Sequence, residues 1–204
     1  ANGVIRVFDK LSGELLKTIG DQGDPAERLD RPTNLAFDAK GNLYVTDIGR
    51  FQVVKFDRDG HFQSTIGKVG DSPGHFARPK GTAVDREGRL YAVDAAFNNV
   101  QIFSPEGRLL MFFGDAGLGP GGLMLPAKVA IDEQNMALFS AYAAPEFEIE
   151  YLVLVTSQFG DRKVSVYGFG HGKGKHYPTE EELRQQIEER RKKELERLER
   201  EKPP

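Results

Sequence analysis

A chain of 204 residues with 28 Lys and Arg against 31 Asp and Glu carries a formal charge of −3. That is too near neutral to bind a polyanion through net charge. It has no cysteine, which excludes disulfides, thiol nucleophiles, thiolate metal sites and c-type haem attachment through Cys-x-x-Cys-His within it. No apolar run reaches the ~18–20 residues of a membrane span, and no stretch reads as a signal peptide. The opening ANGVIRVFD already reads as a strand, so sequence upstream of it is expected.

Most of the chain is periodic. Pro32, Pro79 and Pro126 are 47 residues apart, as are Asp38, Asp85 and Asp132, and Gly20, Gly67 and Gly114. Phe56 and Phe103, Asp47 and Asp94, and Gly60 and Gly107 keep the same interval. A period of 40–50 residues with several strands per unit is the signature of a propeller blade.

In chain order, VIRVFD (4–9) and GELLKTIG (13–20) read as the third and outermost strands of a blade, so the chain opens inside one. Residues 31–67 and 78–114 read as two complete blades. In the second, TAVD is innermost, then RLYAVD, NNVQIF and GRLLMFFG, each rich in Val, Ile, Tyr or Phe. Asp85–Gly88 and Ser104–Gly107 read as tight turns. A third unit begins with AKVAID and is interrupted by an insertion at 133–150, EQNMALFSAYAAPEFEIE. YLVLVTSQFGDRKVSVYGFG then resumes strands two and three, with Ser157 at the place of Asp47 and Asp94, and no fourth strand after Gly170. The expected fold is therefore all-β, about 3.5 propeller blades over 1–170.

A Gly, Lys and His linker is expected at 171–178 and a charged helix at 179–202. Thr179 is the expected N-cap, with Glu182 completing a capping box. Glu180–Arg184, Glu188–Lys192, Glu189–Lys193 and Glu196–Arg200 are favourable i,i+4 pairs. The apolar stripe is thin, Leu183, Ile187, Leu195 and Leu198, too interrupted for a long coiled coil. It reads as a solvated spur or as a narrow strap on a partner, the strap being preferred.

Antiparallel strands place the second-to-third turns and the outer-to-inner connectors (21–31, 68–78, 115–125) on one face. Candidate interaction residues there are Arg50, Phe51, Arg78, Lys80, Phe97, Asn98 and Lys128. Arg50, Arg78, Lys80 and Lys128 read either as a positive ring or, preferably, as ordinary solvated charge. Asp47 and Asp94 read as turn caps that hold the next backbone in preference to cation ligands. Phe8, Phe56 and Phe103 read as core between blades. The insertion carries Phe139, Tyr142 and Phe147, as either a partner grip or cover for its own sheet. His171 and His176 lie five apart in a Gly-rich stretch with no carboxylate close in sequence, a weak metal motif. No catalytic residue, cofactor or metal ligand is assigned.

GNLYVTD, GRLYAVD and NNVQIF, with the approaches GHFARP and GGLMLP, resemble NHL repeats over about residues 3–170. The resemblance implies a six-bladed propeller of which this chain is the C-terminal part, the remaining blades lying upstream or on another chain. It further implies a non-catalytic scaffold in the periplasm or outside the cell, its partners proteins such as a multihaem c-type cytochrome or a complementary propeller fragment. Two alternatives come with the family. One is a zinc-dependent lyase acting on hydroxyglycine peptides, although His61 and His75 do not fall on inner strands. The other is an RNA-binding domain, which 20 basic against 22 acidic residues before Pro178 disfavours.

Overall fold

The structure, a computed structural model, describes residues 3–117, 119, 121–175, 182, 185 and 187–192. The chain divides into two units, one of Ala1–Ala143 with Ile149–Gly170 and one of Ala144–Glu148 with His171–Pro204.

The first unit consists of propeller blades. β1 (Ile5–Phe8) and β2 (Leu15–Ile19) form an antiparallel hairpin. β3 (Pro32–Phe37), β4 (Leu43–Asp47), β5 (Gln52–Phe56) and β6 (Phe62–Ile66) make a four-stranded sheet in sequence order. β7 (Pro79–Val84), β8 (Leu90–Asp94), β9 (Asn99–Phe103) and β10 (Leu109–Phe113) repeat it. A short parallel pair, β11 (Asp115–Ala116) and β12 (Gly122–Leu123), precedes β13 (Pro126–Asp132). Two 3-10 turns, η1 (Met136–Leu138) and η2 (Ser140–Tyr142), then lead to β14 (Phe147–Ser157) and β15 (Val164–Gly172).

Local chemistry fixes this repeat. Each inner strand starts on a proline, where the missing N–H interrupts no ladder. Each turn into the second strand is wound around an aspartate. Asp38 Oδ1 accepts the N–H groups of Lys40 and Asn42, and Asp85 Oδ1 those of Glu87 and Arg89. The short second strands β4 and β8 are buried along their whole length.

The core lies between blades. Tyr44, Val53 and Ile66 of one sheet pack with Phe76, Leu90, Ala92 and Phe103 of the next. Tyr91, Val93, Val100 and Ile102 pack in turn with Leu123, Val129, Tyr151, Val153 and Val155. Each such side chain stabilises the contact by about 1.5–3 kcal/mol, so blades hold one another. The glycine closing each outer strand faces an apolar residue of the following connector. A Cβ on Gly20, Gly67 or Gly114 would come within 2.5, 2.3 or 2.6 Å of Leu29, Phe76 or Leu123. All three glycines also have left-handed φ, so both space and backbone require them.

Two expectations need correction. Phe56 and Phe103 are core, but Phe8 is 54% exposed. The first two stand opposite Leu43 and Leu90 across the ladder, whereas β1 pairs with β2 alone and leaves Phe8 uncovered. The insertion is also shorter than read, because 147–150 already belong to β14.

In the second unit the Lys173 amide donates to the Glu146 carbonyl and its ammonium to the Pro145 carbonyl. β15 enters this unit and runs to Gly172, past the boundary read at 170. Helix is present at 182, 185 and 187–192, and Ile187 on it is exposed. Thr179, Leu183, Leu195 and Leu198 lie outside the described residues.

Candidate interaction site

On the face of the second-to-third turns, Asp47 and Asp94 are fully buried. Asp47 accepts the N–H groups of Asp30, Arg31, Gly49 and Arg50, at 2.7 to 3.3 Å. Asp94 does the same for Ala77, Arg78, Ala96 and Phe97. Each carboxylate thus ties its own turn to the preceding connector, and its oxygens are engaged by backbone donors. This is the turn-cap role. At the third repeat Ser157 offers only a hydroxyl, which accepts from the Met124 N–H at 3.2 Å.

The neighbouring candidates are held in structural work too. Phe51 and Asn98 both have left-handed backbones, φ 55 and 54. Phe51 packs against the core between blades, while Asn98 Oδ1 accepts the Leu125 N–H at 2.8 Å. The Arg50 guanidinium donates to the Ala26 and Pro25 carbonyls of the first connector, so it is a clamp on that loop. Arg78 and Lys128 are exposed and Lys80 is half-buried. Phe97 lines a cleft of about 200 Å³ with Pro73, Asn99, Gln101 and Phe112. The Gln101 amide spans that region, accepting from the Gly74 N–H and donating to the His75 carbonyl.

The insertion joins the first and second strands of its sheet, so it projects from the opposite face. Tyr142 is 86% and Leu138 71% exposed, and the Phe139 and Tyr142 rings lie 6.5 Å apart. Asp132 anchors the base by accepting the Gln134 and Asn135 N–H groups and the Asn135 amide. Phe147 is half-buried on β14, in the second unit. Within the first unit, the topology thus sets the turn candidates and the insertion residues Phe139 and Tyr142 on opposite faces.

On that second face lies a buried polar network that was barely legible in the sequence. Arg89 Nε donates to Asp85 Oδ2 at 2.5 Å, and an Arg89 terminal nitrogen donates to the Tyr151 hydroxyl at 3.0 Å. The Tyr151 hydroxyl donates to Asp85 Oδ2 at 3.1 Å and shares a 2.6 Å hydrogen bond with that of Tyr91. Tyr151 stacks on Phe169, over which the Arg89 guanidinium sits at 4.6 Å. Burial pushes the Tyr91 phenol up to about 12, and burial together with Tyr91 raises that of Tyr151. The signal available was Asp85 with Arg89 four residues on; nothing in the spacing pointed to Tyr151, on the next sheet.

His61 Nδ1 lies 3.2 Å from Asp57, and His75 sits in a connector. His171 comes within 3.9 Å of Glu148, a carboxylate that strand pairing supplies and the sequence order hides. His176 lies outside the described residues, and among the described residues no three His, Asp or Glu side chains form a metal-holding group.

Residues 29–98 match a family described as a 6-bladed beta-propeller. No curated protein matches the chain by sequence. Among solved structures it is similar to virginiamycin B lyase from Staphylococcus aureus, in a catalytically inactive form with quinupristin. The TM-score is 0.52 at 10% identity, over 83% of this chain and 48% of that one. It is also similar to regucalcin, a calcium-binding protein from Agrobacterium tumefaciens, with a TM-score of 0.50 at 15% identity, over 87% of this chain and 56% of that one. The chain spans about half the length of these structures. At such identities the likeness is one of fold, and the fold is that of propeller blades.

Proposed function

We propose that this chain is a non-catalytic scaffold of NHL-type blades that docks protein partners. The observation that carries the reading is the insertion, which holds Leu138 and Tyr142 in water on an anchored pair of 3-10 turns. Exposed large apolar groups on a fixed loop serve docking, because their burial on association is favourable and little order remains to be lost. The buried carboxylates Asp47, Asp85 and Asp94 are occupied within the fold, which fits a rigid frame.

The periplasmic or extracellular setting, and a multihaem c-type cytochrome or a complementary propeller fragment as partner, follow from the resemblance to NHL repeats. A metal-dependent lyase-like alternative and an RNA-binding one follow from the same resemblance, and the likeness to virginiamycin B lyase adds fold alone. Native mass spectrometry of the full chain isolated from its source tests the scaffold. A co-isolating protein is expected, and it should be lost from the double variant Leu138→Ser, Tyr142→Ser at unchanged melting temperature. A chain that isolates alone, or a complex indifferent to the double variant, overturns the reading.

A further inference from the structure

Two contacts between neighbouring blades bury a tyrosine at the same repeat position, and they are finished differently. Tyr44 and Tyr91 stand at the same register in β4 and β8, and both are 1% exposed or less. The Tyr91 hydroxyl is sealed by the Tyr151 phenol, which also reaches Asp85, with the Arg89 guanidinium completing the cluster. The Tyr44 hydroxyl is buried and makes no hydrogen bond of ordinary geometry, with only the Lys55 ammonium and the Asp38 carboxylate near it.

Substitutions within the repeat explain the difference. Asn42 occupies the position of Arg89, and its shorter side chain reaches only Asp38 Oδ2, at 2.7 Å. Pro79 pairs with Asp94, and Pro126 with Ser157. Tyr151 therefore corresponds to Gly88, which has no side chain to offer. What remains is a cleft of about 100 Å³ lined by Asp38, Asn42, Tyr44, Lys55, Gly88 and Pro105. Lys55 holds its ammonium 5.1 Å from the centre of the Tyr44 ring and supplies the positive charge that Arg89 supplies next door. The missing group is the aromatic alcohol.

We propose that this cleft is a seat for a phenol, whose hydroxyl accepts from Tyr44 and donates to Asp38 Oδ2, as the Tyr151 hydroxyl does for Tyr91 and Asp85. An unpartnered buried hydroxyl is unfavourable by about 1–3 kcal/mol, and such a guest removes that penalty. The phenol can be a free small molecule or a tyrosine side chain presented by a partner protein. Both have the same chemistry and both would reach the cleft from solvent.

The test follows the Asn42 and Gly88 amides of the full chain by ¹H–¹⁵N NMR during titration with phenol. Toluene, which lacks the hydroxyl, and glycerol, which lacks the ring, serve as comparisons. Saturable shifts with phenol alone are expected. Tyr44→Phe should weaken binding about fivefold, the share of one hydrogen bond. Asn42→Arg, which installs the neighbouring guanidinium, should abolish it. N-acetyl-tyrosinamide distinguishes the sources: saturable binding by it points to a partner's tyrosine, and binding by phenol alone to a small phenol. Non-saturating shifts, equal response to toluene or glycerol, or wild-type titration by both variants overturn the proposal. Thermal melts give an independent check. Tyr44→Phe deletes a hydroxyl that makes no bond, so it should melt at or above the wild type; a clear loss of stability would mean the hydroxyl already has a partner, and the seat would not exist.

Discussion

At the scale of single residues, the same polar side chain recurs at the same turn and is worth what its donors make it worth. Asp94→Ala leaves four N–H groups without their acceptor and should lower stability by about 3 kcal/mol, measured by urea denaturation. Ser157→Ala, at the corresponding place in the third repeat, removes one hydrogen bond and should lower it by about 1 kcal/mol. Asn98→Ala combines the loss of the Leu125 N–H partner with a left-handed backbone that alanine adopts poorly, and about 2 kcal/mol is expected. The turn-cap role of Asp47 and Asp94 was legible in the sequence, because a carboxylate that recurs in phase with turn glycines has a local backbone to serve. The role of Arg50 was not. Its partners at Pro25 and Ala26 belong to a connector whose path no period encodes.

At the scale of elements, blade-to-blade contacts carry the core, and the one centred on Arg89 joins its polar groups directly to one another. Arg89→Met takes the cation from the buried Asp85 carboxylate, which keeps two amide donors and the Tyr151 hydroxyl, and should lower stability by about 3 kcal/mol. The double variant Arg89→Met, Asp85→Asn should recover part of that loss, which a double-mutant cycle in urea reads directly. The network also sets an alkaline limit. The folded protein holds Tyr91 neutral to about 12, whereas an unfolded tyrosine ionises near its ordinary value of 10. Its contribution to stability is therefore complete below pH 10 and is lost as pH rises towards 12. Melting temperature, followed by circular dichroism, should fall across that window. Strand order was readable from the 47-residue period, and β7 to β10 fall where the apolar runs put them. The network and the empty seat beside Tyr44 were not. Both depend on which residue of one sheet faces which residue of the next, and Tyr151 reaches its position only after an insertion that breaks the period.

At the scale of the whole molecule, near-neutral charge leaves apolar exposure as the main handle for association. On β3, Leu35 is 45% and Phe37 65% exposed, and Phe8 on β1 is open as well. A further blade would bury sheet surface of this kind, as the neighbouring blades bury one another's. The three connectors, finally, are fastened by different means. Two amides of each of the first two are held by a buried carboxylate, and two of the third by the Ser157 hydroxyl and the Asn98 side-chain oxygen. Tyr167 and Arg162 add bonds to the Gly121 and Gly119 carbonyls of the third. Local opening of that connector therefore needs more than one of these to be lost. The double variant Ser157→Ala, Tyr167→Phe should let a protease at low dose cut between Gly114 and Leu125, where neither single change does. A repeat position that loses its charge thus has its fastening made up from the neighbouring strand.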